Sequence, residues 1–268
     1  MITIDWKERL TNDTLDYLNN KLPKQDYDFD IIFNWYPERV NGRIPSEVIQ
    51  LVTKVMALHI GKQHENYLPF YQYLWEKKGE SGKLAFTLFM ARFLPKKPAV
   101  YGPLLEKVMQ KADAHDINLI LEKVYLPLFK KEPEAYLSKL YAWLESDYEP
   151  LRKQATNFLI RLLKLKPEII PQVLKHLQNR WVLPLPDVVP TNAAILKAIW
   201  KINPELMTEL FREYKSTRDP QTVEILCGSI TSFRPELMPI VENWTRSGNA
   251  RLKKAATAAF RILQKKKA

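Results

Sequence analysis

The feature of the sequence that most restricts its fold is a recurring helix start, Pro-Glu followed by two mostly apolar residues. The copies begin at Pro133, Pro167, Pro204 and Pro235, so the gaps between them are 34, 37 and 31 residues. Proline suits the first helical position because its missing N–H would have no partner there, and the glutamate complements the positive helix end. Each gap holds about two helices. The spacing predicts an all-α chain of stacked antiparallel helix pairs, an α-solenoid.

A second internal match supports the repeat. A shift of 101 residues lays Trp143 on Trp244 and lays the run Leu151-Arg152-Lys153 on Leu252-Lys253-Lys254. Each copy reads as a helix ending in tryptophan, a short polar turn, and a helix opening with leucine and two bases. Small alanines follow in both copies, which allows neighbouring helices to approach closely.

Helical spacing of apolar residues continues along most of the chain, without convincing strand alternation. The predicted helices are 5–20, 45–60, 65–77, 81–94, 101–112, 115–130, 133–145, 149–165, 167–178, 190–202, 204–215, 219–231, 235–245 and 249–265. Residues 20–44 fit either a short helix or a loop. We expect a weakly repeat-like N-terminal part at 1–100 and repeats at 101–268, in one continuous solenoid.

Composition restricts the class of protein. Seven glycines against nineteen prolines disfavour folds built on glycine-rich phosphate loops. No apolar run approaches the roughly 18 residues of a membrane span, and the first residues do not read as a secretory signal. The single Cys227 cannot form an internal disulfide. We therefore expect a cytoplasmic monomer that has no membrane contact and no cofactor.

The net charge of +11 is concentrated in the later part of the chain. Residues 1–80 carry −2 and residues 81–268 carry +13, with +6 in 151–186 and +8 in 243–268. Such segregation favours a surface that binds a polyanion, with nucleic acid as the first candidate and an acidic protein as the second. Solvated helix faces and a basic tail are the alternative explanation.

The run 151–170 resembles HEAT-like helical repeats, and more narrowly those of the bacterial DNA alkylation repair glycosylases. The resemblance covers roughly 133–265. It implies a curved solenoid whose basic concave surface holds duplex DNA, with aromatic and acidic residues that act on an alkylated purine. The residues that it offers are Asp147 and Glu80 as catalytic candidates, and Trp143, Phe158 and Trp244 as aromatic cleft candidates. Whether the chain is an enzyme stays open.

Several bases are candidate nucleic-acid contacts. Arg152 and Lys153, like Lys253 and Lys254, stand in the first turn of their helices, where they oppose the helix dipole. A use as phosphate contacts would compensate for this, and merely flanking the turn is the alternative. The remaining candidates are Arg161, Arg180 and Trp181.

The segment around Trp181 is the longest connection expected among the repeats, because Pro184 and Pro186 stop the helix there. Arg180 is a phosphate contact or an ordinary surface base. Trp181 either stacks on a nucleic-acid base or packs under the loop, and large aromatic side chains are usually buried.

Two other motifs predict no chemistry. The run Gly79–Lys83 lacks the glycine and the Ser or Thr that a phosphate loop needs, so it predicts a turn before the next helix. The four histidines are scattered, which predicts no metal site. The leading hypothesis is thus a HEAT-like repeat protein that binds duplex DNA, and whether it is a relative of the alkylation repair glycosylases is left open. The alternative is a non-enzymatic scaffold for an acidic protein.

Overall fold

The computed structural model describes residues 5–20 and 43–265, and all regular structure in these ranges is helical. The prediction of an all-α chain is therefore confirmed for the described part. The stretch 20–44, for which a helix or a loop was open, lies almost entirely outside the described residues. None of the described helices is both long enough and apolar enough to span a bilayer.

Packing divides the chain into two units, Met1–Leu128 and Phe129–Ala268. Residues 101–128, which the repeat pattern grouped with the later part, thus pack with the first unit. The helices of the first unit are α1 (Trp6–Asn20), α2 (Ser46–Ile60), α3 (Leu68–Lys77, after the 3-10 segment Gly61–Tyr67), α4 (Gly79–Phe93), α5 (Pro98–Met109) and α6, which joins Ala114–Ile120, the π-helical segment Leu121–Tyr125 and Leu126–Lys131.

The second unit consists of successive helices joined by short turns and one longer loop. Its helices are α7 (Pro133–Leu144), α8 (Glu149–Leu165), α9 (Ile170–Gln178, after the 3-10 segment Pro167–Ile169), α10 (Val188–Ile202), α11 (Pro204–Glu213), α12 (Pro220–Ser229), α13 (Met238–Thr245, after the 3-10 segment Pro235–Leu237) and α14 (Ala250–Lys265). Every predicted helix has a counterpart, with ends displaced by a few residues.

The Pro-Glu motifs begin helical segments as predicted. Pro133 and Pro204 are the first residues of α7 and α11, while Pro167 and Pro235 open the 3-10 segments that lead into α9 and α13. At α11 the start is reinforced because the Asn203 side chain accepts a hydrogen bond from the backbone N–H of Leu206 at 3.0 Å.

The core of the first unit is built around α4, which packs against α2, α3, α5 and α6. Aromatic side chains fill it: Tyr71, Phe89, Phe93 and Tyr101 are fully buried and lie within ring contact of one another. His64 joins the cluster, stacked on Phe93 and hydrogen-bonded through Nδ1 to the Tyr101 hydroxyl at 2.6 Å. Burial of such rings is the main stabilising contribution of this core.

In the second unit, alternate helices contact one another in chain order. We name α8, α10, α12 and α14 the second-helix row, because α8 packs on α10, α10 on α12 and α12 on α14. We name α7, α9, α11 and α13, with their 3-10 segments, the first-helix row. Side chains link its members: Tyr141 of α7 stacks on His176 of α9, and Phe211 of α11 contacts Trp244 of α13.

Candidate nucleic-acid interface

Charge in the second unit is separated between the two helix rows. The first-helix row contains three Lys or Arg and seven Glu, a net charge of −4. The second-helix row contains eleven Lys or Arg and two Glu, a net charge of +9. The second-helix row thus contributes +9 to the +13 that residues 81–268 carry, and the first-helix row opposes it with −4.

Nine bases of the second-helix row are exposed, and we call them the basic row surface. They are Lys153, Arg161, Lys164, Lys197, Lys201, Arg251, Lys253, Lys254 and Arg261. In α10 the placement is forced by packing, because that helix contacts α8, α12 and α11 and buries its apolar positions against them. Lys197 and Lys201, four residues apart, share the side that remains.

Most of these bases keep their charge unopposed. Lys164, Lys197, Lys201, Lys253, Lys254 and Arg261 form no ion pair with any residue that the structure describes. Two others have partners: Lys153 pairs with Glu149, and Arg251 Nε donates to Glu224 at 2.8 Å. The hydrogen bond that each base donates to its glutamate raises the pKa of that base. The basic row surface is therefore a set of cations with few internal partners.

Arg152, a predicted phosphate contact, is buried, with 6% of its surface exposed. Its Nε and Nη2 donate to one carboxylate oxygen of Asp187 at 3.0 and 2.5 Å, and its Nη1 donates to the Ser146 carbonyl at 2.6 Å. The guanidinium thus links the turn before α8 to the start of α10. Lys253, which the 101-residue shift of the sequence lays on Arg152, is exposed instead.

Arg180 and Trp181 serve the packing of the loop 179–187 in this structure. Both nitrogens of the Arg180 fork donate to Glu145, at 2.8 and 2.9 Å. The Trp181 side chain is 1% exposed, and its Nε1 donates to the Asn192 side-chain oxygen at 3.0 Å. A buried indole in this arrangement cannot stack on a nucleic-acid base, so the packed alternative describes Trp181.

The remaining predicted site residues do not form a cleft. Trp143, Phe158 and Trp244 are buried in the core of the second unit, with 4%, 3% and 0% exposure. Asp147 is exposed in the turn between α7 and α8. Glu80 belongs to the first unit, where it is exposed and paired with Arg43 at 2.6 Å. The three aromatic side chains thus contribute to packing in the core of the second unit.

The structure brings together a cluster that the sequence analysis missed. His176 stacks on Tyr141, and its Nε2 lies 3.5 Å from the Glu145 carboxylate that also accepts from Arg180. Burial lowers the pKa of His176, against the opposing effect of Glu145. His176, Glu145 and Arg180 line a small cleft together with Leu185 and other apolar side chains. The signal was present, because 35 residues, about one repeat, separate Glu145 from Arg180.

Sequence reasoning also missed several members of the basic row surface. Lys164, Lys197, Lys201 and Arg261 were not singled out because no motif marks them, yet all four are exposed and without ion pairs among the described residues. Their common feature is membership of the second helix in each pair. The signal that could have found them is the charge of alternate helices, counted separately.

The run Gly79–Lys83 begins α4, and Gly79 adopts the left-handed conformation at φ 54°. Lys83 pairs with the buried carboxylate of Asp116. Within 5–20 and 43–265, no group of three or more His, Cys, Asp or Glu side chains is placed to hold a metal ion.

Comparisons with models of known protein families, with curated proteins and with solved structures found no match. A function for this chain therefore has to be inferred from the arrangement of charge and packing in the second unit.

Proposed function

We propose that the chain binds nucleic acid, with duplex DNA as the expected form, through the basic row surface of the second unit. The observation that carries the proposal is the separation of charge, +9 on the second-helix row against −4 on the first-helix row. General solubility needs no such separation. A polyanion needs positive charge gathered on one side.

We further propose that the second unit is a HEAT-like α-solenoid. Two sets of contacts support this arrangement. The second helices pack in chain order, and contacts within the first-helix row recur at about one repeat length, as between Gln178 and Glu213 or between Tyr141 and His176. In a repeat array each unit contacts its neighbours, so equivalent positions of successive helices stand side by side. Lys164 and Lys201 occupy such positions, 37 residues apart.

Salt dependence is the first test of the proposal. A lysine that neutralises a phosphate releases a condensed counterion, so the logarithm of the binding constant falls linearly with the logarithm of salt concentration. About six phosphate contacts, the number of unpaired bases, give a slope of roughly −5 for duplex DNA. A slope near zero would contradict the proposal.

Charge reversal on one row tests which surface binds. In the basic-row variant, Lys197→Glu and Lys201→Glu, we expect affinity for a 20-bp duplex to fall more than about tenfold and the slope to weaken by about two. The matched control reverses Lys175 and Arg212, two exposed bases of the first-helix row. It has the same net charge and should lose far less affinity. Equal losses in both variants would show that net charge alone is responsible.

Two further outcomes separate the related hypotheses. Capture of one stoichiometric acidic protein, with no retention of duplex, would favour the scaffold alternative. Release of free base from a methylated duplex by the wild type, reduced in the basic-row variant, would add a glycosylase activity to the binding function. Duplex binding without release of base leaves a binding protein.

A further inference from the structure

Asp187 is an acidic residue at the edge of the basic row surface. It stands at the start of α10 with φ 50° and ψ 25°, and it is the one non-glycine residue with positive φ among those described. Aspartate at such a position commonly accepts hydrogen bonds from the first helical amides. Here its side chain makes no such bond and is bound to Arg152 instead.

The pair is asymmetric in exposure. The Arg152 side chain is 7% exposed, whereas the Asp187 side chain is 45% exposed. One carboxylate oxygen accepts both Nε and Nη2 of the guanidinium. Solvent, or a ligand, therefore meets the carboxylate first. Behind the carboxylate, Arg152 presents its Nε and Nη2 side by side, which is the geometry with which arginine binds phosphate.

The surroundings would permit an exchange of anions without moving Arg152. Its Nη1 is held independently by the Ser146 carbonyl. The first half of the loop is also held independently, because Gln221 donates to the carbonyls of Trp181 and Leu183. Release of Asp187 therefore needs rearrangement only of residues 184–187. The charge of Asp187 acts on Lys153 as well, so an anion at this place has a second cation beside it.

We propose that the Asp187 carboxylate competes with nucleic-acid phosphate for Arg152. On binding, a phosphate of the duplex replaces this carboxylate on the Arg152 guanidinium. This inference rests on the proposed function of the basic row surface. It makes the Arg152 site a reserve contact, closed in the free protein and opened on binding. Sequence analysis predicted Arg152 as a phosphate contact, and the exchange reconciles that prediction with its burial.

The test is a double-mutant cycle read by duplex affinity over a range of salt. We expect Asp187→Asn to tighten binding of a 20-bp duplex about three- to tenfold, because the phosphate no longer has to displace a carboxylate from Arg152. The salt slope should stay nearly unchanged, because the wild type and the variant contact the same number of phosphates. The matched control is Glu224→Gln, which also removes one acid, here from the second-helix row and from a pair with Arg251, a base that is already exposed. It should tighten binding less and leave Arg152 uninvolved.

The second arm of the cycle removes the Arg152 guanidinium. In the Arg152→Gln background, Asp187→Asn should give no gain beyond that of Glu224→Gln. If the gain persists without Arg152, or if Asp187→Asn behaves like Glu224→Gln in the wild-type background, the inference is overturned while the proposed function stands. If the wild type shows no salt-dependent binding of duplex, the proposed function itself fails.

A measurement on the wild type tests the same release without depending on the folding of any variant. The Thr191 N–H donates to the Asp187 carbonyl at 3.0 Å. On saturation with duplex, amide hydrogen exchange at Thr191 should become faster, since the Asp187 carboxylate has left Arg152 and residues 184–187 have rearranged. Exchange at Trp181 and Leu183 should stay unchanged, because Gln221 still holds that half of the loop. Slower or unchanged exchange at Thr191 would contradict the release.

Discussion

The rings of Tyr141 and His176 lie face to face, with centroids 3.6 Å apart and planes 6° apart, although 35 residues separate them in the chain. The same separation occurs between Glu145 and Arg180. These contacts join the helix α7 to α9 and to the loop that follows it. These contacts hold α7 against α9 at His176, whose titratable ring is half-buried.

Acid should weaken the second unit through His176. Burial lowers the pKa of His176 below 6.5, so the unfolded chain binds a proton that the folded one does not. The contribution of this group to stability is therefore complete above pH 6.5 and is lost as the pH falls through the folded pKa. We expect His176→Phe, which keeps a ring against Tyr141, to flatten the acid side of the stability profile in urea unfolding between pH 8 and pH 5.

The control for this experiment is His59→Gln, because His59 is exposed on α2. It should retain the acid dependence of the wild type. An unchanged profile in His176→Phe would show that the acid sensitivity originates elsewhere. His64 is the other candidate, because burial lowers its pKa also.

The Asn192 side chain holds the loop 179–187 and the start of α10 through two hydrogen bonds. Its side-chain oxygen is the acceptor for the buried Trp181 Nε1, and its amide donates to the Val188 carbonyl at 2.7 Å. Asn192→Ala should lower the free energy of unfolding by about 1–3 kcal/mol, because a buried indole N–H loses its partner. Asn157→Ala, at an exposed position of α8, should change it by less than about 0.5 kcal/mol. Equal values in chemical denaturation would refute the role of this hydrogen bond.

Gly82 of α4 lies close to the backbone of Leu74 in α3. A methyl group there would be 2.2 Å from the Leu74 carbonyl oxygen and 2.4 Å from the Lys78 Cβ. Gly82→Ala should therefore cost about 1–3 kcal/mol or more, as overpacking does when backbone must shift. Gly248→Ala is the control, because no atom lies within 4 Å of its added carbon. Thermal unfolding followed by circular dichroism gives both values, and a Gly82→Ala protein as stable as the control would contradict the close approach.

Lys83 neutralises a carboxylate inside the first unit. The Asp116 side chain is 7% exposed and the Lys83 side chain 29%. Lys83→Met should lower the free energy of unfolding by about 3 kcal/mol, the lower end of the cost of breaking a buried pair, since water still reaches the lysine. The double variant Lys83→Met with Asp116→Asn should recover part of the loss. A double variant that is less stable than the single one would contradict an electrostatic origin.

Local chemistry explains what could be predicted from the sequence. The proline at Pro133 or Pro204 fixes a helix start through its own ring, and the glutamate beside it acts on the same helix end. Helical spacing of apolar residues depends on positions three and four apart. Such signals need no knowledge of the partner helix, so the helices of the described part were predicted to within a few residues.

The placement of single side chains depends on partners that are distant in the chain. Arg152 looks like a surface base until Asp187, 35 residues later, is placed beside it. Trp181 is anchored by Asn192 and by the ring of Tyr214. Local patterning cannot separate a phosphate contact from an interior ion pair, because both use the same residue at the same helix position. Only contacts between successive helices distinguish them.

The unequal charge of the two helix rows gives the second unit a permanent electric moment directed from α7, α9, α11 and α13 toward α8, α10, α12 and α14. In the field of a polyanion, such a body turns its positive side toward the ligand while it is still diffusing, provided that the distance is within the screening length of about 10 Å at 0.1 M salt. The first contact with the ligand is then made by the second-helix row, which carries most of the lysines of the two rows. The arrangement would thus increase how often an encounter succeeds, before any individual contact has formed.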